Sequence, residues 1–142
     1  MEEALYKVLS SDDEIAAICS HIRPVALAQT DTLPFVVYQI TDEDNSLDYI
    51  DEPCEYKKCT VQIDVYDDTY AGAKTLSNII KDKLHYLDEV IEVEDEEGSV
   101  VTSWDLTILH QTSQDLTPPQ EPGKEKPPFR FSSDYGVMYK EV

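Results

Sequence analysis

Four glycines among 142 residues leave little material for the turns that cradle a phosphate. No Gly-x-Ser-x-Gly elbow and no phosphate loop occurs in the chain. Cysteine is scarce and odd in number: Cys19, Cys54 and Cys59. The opening stretch, MEEALYKVLSSDDE, is acidic and lacks the basic, then apolar, pattern of a secretory leader. A disulfide framework is therefore not expected, and Cys59 reads as a buried thiol on the apolar face of a strand. Cys54 and Cys59 do not have a common zinc spacing, and His21, His85 and His110 fall in three separate segments. No apolar run approaches the roughly 18 residues that a membrane span needs. The expectation is a chain made in the cytoplasm, without a metal, a cofactor or catalysis.

Basic residues are also few. Eleven lysines and arginines stand against 30 aspartates and glutamates, a net charge of −19. Such a chain has no basic patch with which to displace counterions from a phosphate backbone. It is equally unsuited to an anionic membrane surface.

Hydrophobic residues, 41% of the chain, are enough for one domain with a sizeable core. Glu2 to Leu9 reads as a helix, and Ser11 to Glu14 as a capping box that opens a second helix with Ile15, Ala16, Ile18 and Cys19 inward. Arg23 to Ala28 reads as extended. Pro34 opens a strand from Phe35 to Ile40, and Thr41 to Glu55 reads as an acidic loop or hairpin tip.

The clearest strand is Lys58–Tyr66, with Cys59, Val61, Ile63 and Val65 on one face. Asp64, on its other face, is expected to be solvated or at an interface. A helix from Tyr70 to Leu87 follows, with Ala73, Leu76, Ile80, Leu84 and Leu87 as its apolar stripe. Between them stand Asp67, Asp68 and Thr69. Paired aspartates at a turn raise the question of a metal or catalytic site. Asp68 or Thr69 as N-cap, with Asp67 adding charge at the positive helix end, accounts for them without a ligand.

Val90–Val93 reads as a short strand and Val100–Leu109 as another. Gln111–Pro128 reads as a Pro-rich loop, and Phe129–Tyr139 as a final, central strand. The pattern predicts a single α+β domain over residues 1–142: a mainly antiparallel sheet with helices on one face.

Four segments, in order, resemble the tail-completion (tail-terminator) proteins of tailed bacteriophages and prophages. They are EALYKVLSSDDEIAAI, IRPVALAQTDTLPFVVYQI, VQIDVYDDTYAGAKTLSNIIKDKL and FRFSSDYGVMY. The long loop before the fourth departs from the family pattern. The resemblance implies a virion protein with no catalytic residues, assembled in the host bacterial cytoplasm as a homo-oligomeric ring, expected to be a hexamer. It implies a place in the neck, at the head-proximal end of the tail. There the ring would end the tail tube, meet the tail tube protein and the head connector or completion protein, and pass double-stranded DNA without binding it tightly.

Within that expectation, Asp42, Glu43 and Asp44, and Glu92, Glu94, Asp95, Glu96 and Glu97, are candidates to line the channel as loop-tip acids. Pro118, Pro119, Pro122, Lys124 and Lys126 are candidates to contact a neighbouring subunit. The other class of function that the composition allows is a monomeric acidic binding module, of the inhibitor or DNA-mimic type.

Overall fold

The computed structural model describes residues 1–19, 21–24, 33–44 and 56–142. Three helices and six strands follow in the order α1 (Glu2–Ser11), α2 (Asp13–Ile18), β1 (Ile22–Pro24), β2 (Phe35–Asp44), β3 (Lys57–Asp67), α3 (Tyr70–Leu84), β4 (Leu87–Glu94), β5 (Val100–Asp115) and β6 (Phe129–Glu141). The strands form one sheet in the order β1-β2-β3-β6-β5-β4. Among the described residues only β1 and β2 run parallel; the other four pairs are antiparallel. The molecule is an α+β domain, and β6 lies between β3 and β5.

The sheet is curled. α1 packs on β1 and also on β4, the two strands at opposite ends of the spatial order. α3 lies on β3, β6 and β5. One continuous cluster joins Ala4, Leu5 and Leu9 of α1, Ile15 of α2, and Ala73, Leu76, Ile80 and Leu84 of α3. To these it adds Val36, Val61, Ile63, Val65, Leu106, Ile108, Tyr135 and Val137 from four strands. The period-2 alternation of β3 and the period-3.6 stripe of α3 both point into this cluster.

Several boundaries differ from the sequence reading. α1 continues to Ser11, whose hydroxyl donates back to the Lys7 carbonyl, so Ser11 does not cap α2. Asp12 takes that role: its extended backbone (ψ 125°) leaves the helix, and its Oδ1 accepts from Ile15 N at 3.0 Å. In α2 only Ile15 is buried; Ala16 and Ile18 are exposed, because six residues offer little more than one inward position. α3 stops at Leu84, since Tyr86 takes a left-handed φ of 65°, and Leu87 opens β4 instead of closing the helical stripe. β2 runs on to Asp44. β5 runs on to Asp115, past a register shift between His110 and Thr112, so the loop is shorter than expected and covers 116–128. The extended reading of 25–28 and the rest of the acidic segment, 45–55 with Cys54, lie outside the described residues.

Cys59 is buried against the core, and desolvation, reinforced by the charge of Glu43, pushes its thiol up to about 11. Because the thiolate is the reactive form, iodoacetamide at pH 8 is expected to leave Cys59 unmodified in the native protein and to modify it in denaturant. Peptide mapping by mass spectrometry checks this; rapid native alkylation of Cys59 would contradict its burial.

Candidate functional site

β3 delivers Asp67 to the start of α3, and the turn there is built from side chain to backbone. Thr69 is the N-cap: its backbone is extended (φ −121°, ψ 144°) and its Oγ1 accepts from Gly72 N at 3.1 Å. Asp67 is 7% exposed, and its Oδ1 accepts from Asp68 N at 2.7 Å. Burial is the main cause that raises the Asp67 pKa, with the neighbouring Asp68 side chain second. Asp68 itself is exposed and does not cap the helix.

Gly72 is where this turn tolerates least. A Cβ there would strike the Asp67 Oδ2 and lie 2.7 Å from Thr69 Oγ1. Gly72→Ala is therefore expected to destabilise the fold by roughly 1–2 kcal/mol, although alanine is the better helix former. Asp67→Ala in the same chain should relieve much of that loss in urea melts. Equal losses with and without Asp67 would show that the carboxylate is not the obstacle.

On the face opposite the core lies a second polar group. Asp64 is 3% exposed, not solvated as expected. Its Oδ2 accepts from Arg130 Nη2 at 2.7 Å, and Gln62 Nε2 donates to both Asp64 oxygens at 3.0 and 3.3 Å. The Arg130 guanidinium also lies 5.7 Å from the Tyr66 ring, and Tyr66 stacks on Phe35 with centroids 4.6 Å apart. These residues come from three adjacent strands. Arg130 stands 66 positions from Asp64 in sequence, which is why no local signal pointed to the pair. The arrangement ties the three strands together.

The acidic candidates divide. Asp42, Glu43 and Asp44 are not on a loop tip; they belong to β2 and pair with Thr60, Cys59 and Lys58 of β3. A register shift between Ile40 and Asp42 lets the strand continue through acidic residues, and Asp42 and Glu43 stay exposed. Glu92 and Glu94 also belong to a strand, β4. Lys7 of α1 reaches them, donating to the Glu92 carbonyl at 2.5 Å and standing 3.6 Å from Glu94 Oε1. Asp95 shapes the β4–β5 turn, its Oδ1 accepting from Glu97 N and Ser99 N, both at 2.9 Å. Glu96 and Glu97 are exposed at that turn.

In the 116–128 loop, Pro118, Pro119 and Pro122 are exposed. Lys124 pairs with Glu121 at 2.6 Å, and the Lys126 ammonium lies 4.4 Å from the Phe129 ring. Among the described residues no group of three or more His, Cys, Asp and Glu side chains could hold a metal. His85 and His110 are brought together by the turn after α3: His110 N donates to His85 Nδ1 at 3.0 Å. Among the described residues no helix is long and apolar enough to cross a membrane. The chain matches no protein-family model and no curated protein.

Proposed function

We propose that this chain is a structural protein of a tailed-phage virion. In this reading it forms a hexameric ring that ends the tail tube at its head-proximal side and joins it to the head connector, with DNA passing through. One observation carries the reading: the four segments of the resemblance are, in order, the elements of one body. EALYKVLSSDDEIAAI supplies α1 and α2, the second segment β1 and β2, the third β3, the Thr69 cap and α3, and the fourth β6. The shared core cluster, with α1 against both outer strands, supports placing all three helices on one side of the sheet.

Six copies at −19 each carry −114, so assembly is expected to strengthen as salt screens the subunits. The acids placed to face DNA are Glu96 and Glu97 at an exposed turn, where they would give phosphates no cation to pair with. The 116–128 loop is placed to touch a neighbour. Sedimentation over a salt series and images of the particles test the ring. A six-fold ring without DNA binding at low salt is expected. An isologous dimer at all concentrations, or another symmetry, would overturn it. Replacing Glu96 and Glu97 with lysine, and keeping Asp95 for the turn, should create salt-sensitive DNA binding.

A further inference from the structure

β5 outruns its outer neighbour. β4 pairs with β5 only from Val100 to Ile108, and the turn after α3 extends that cover to His110, through Tyr86 N to Ile108 O and His110 N to His85 Nδ1. Beyond it, residues 111–116 are all exposed, and among the described residues no strand lies against their outer side. Leu116 N donates to Arg130 O, and Gln114 stands opposite Ser132, so alternation turns the backbone groups of Ser113 and Asp115 outward. An uncovered strand edge of this kind is a template for another strand.

Beside this edge runs a cleft of about 200 Å³ that Lys74 and Lys81 of α3 line together with His110 and Ser113. Among the described residues neither lysine is in an ion pair, in a chain with 30 acids. The opposite side of the same sheet has the complementary character. Among the described residues β1 pairs with β2 only as far as Tyr38, and β2 then continues to Asp44 with Asp42 and Glu43 exposed.

We infer that the β5 edge at Ser113–Asp115 receives the acidic β2 edge of a second copy, so that the sheets of neighbouring subunits join, with Lys74 and Lys81 facing Glu43, on the Cys59 side of β2, and Asp42 on the other face of the joined sheet. The two edges differ and lie on opposite sides of one sheet. The contact is therefore head-to-tail, which closes into a ring or propagates, and cannot satisfy itself in a two-fold dimer. This interface rests on the ring proposed above.

Ser113→Pro tests it: the N–H it removes faces outward, away from β6, and Ser113→Ala controls for the lost hydroxyl, which meets His110 Nε2 at 2.6 Å and Ser133 Oγ at 2.9 Å. The full chain is followed by sedimentation velocity at rising salt. The wild type and Ser113→Ala are expected to assemble, and Ser113→Pro to remain monomeric at concentrations at least tenfold higher, with the melting temperature of Ser113→Ala. Exposed-charge variants keep the test decisive if that substitution disturbs folding. Lys74→Glu with Lys81→Glu should abolish assembly alone, as should Asp42→Lys with Glu43→Lys. An equimolar mixture of these two double variants should assemble in alternation.

Rings that Ser113→Pro leaves intact, or double variants that assemble alone or fail to assemble when mixed, overturn this interface and leave the hexamer standing. A wild-type chain that stays monomeric at every salt concentration overturns both.

Discussion

Arg130→Met is expected to lower the stability of the domain by roughly 3 kcal/mol, because it strands the Asp64 carboxylate in a place closed to water. The Asp64 side chain is 4% exposed, while that of Arg130 is 31% exposed. The arginine thus keeps partial contact with solvent and the aspartate has almost none. Removing the partner that retains some hydration leaves the group that has lost it, with Gln62 still donating. That asymmetry places the loss near the low end of what breaking a buried pair costs. For a chain of this length it corresponds to a drop in melting temperature of about 10 °C. Arg130→Lys should recover only part of it, since an ammonium cannot match the planar guanidinium beside the Tyr66 ring. Asp64→Leu combined with Arg130→Met should be much closer to wild type than Arg130→Met alone. Calorimetry of the three variants checks this; additive losses in the double variant would show that the ion pair is not the source.

Tyr135→Ala should be of similar or larger size, about 3–5 kcal/mol. Tyr135 is 1% exposed and is among the largest fully buried side chains. It sits on β6 opposite Val61 of β3, and its ring meets that of His110 edge-on at 5.4 Å. A cavity here lies where three central strands meet, and neither neighbouring strand can collapse into it without breaking its ladder. Met138, on the same strand, is 39% exposed, and Met138→Ala should cost less than about 1 kcal/mol. Urea titrations of both variants test the contrast. A Tyr135→Ala loss no greater than that of Met138→Ala would mean that the central strands repack freely.

What the sequence disclosed and what it hid follow from how each interaction is encoded. β3 and α3 were readable because their periodicities repeat over many residues and end in a small set of capping groups. The Asp64–Arg130 pair was not, because alternation tells which face Asp64 occupies and says nothing of whether that face is covered. The polar run Gln111–Asp115 looked like loop because its strand lies at an uncovered edge, where no apolar residue is required, and a register shift breaks its alternation. A register shift likewise breaks the alternation ahead of Asp42–Asp44 in β2. The end of α3 was misplaced by a non-glycine residue in the left-handed region, Tyr86, which no composition rule flags. The Thr69 cap was legible as one of two choices. That Gly72 makes room for Asp67 could be known only from the packed turn.

The central place of β6 has a consequence for how the chain matures on the ribosome. β6 follows every other strand in chain order, yet it separates β3 from β5. Until residues 129–141 have left the exit tunnel, β1-β2-β3 and β4-β5 remain two fragments, each with an apolar flank and an unsatisfied ladder. The nascent polypeptide therefore cannot close its hydrophobic interior before β6 has emerged, and the joining step waits for that strand. In that interval the exposed strands of β3 and β5 are a target for chaperones and a hazard for co-aggregation.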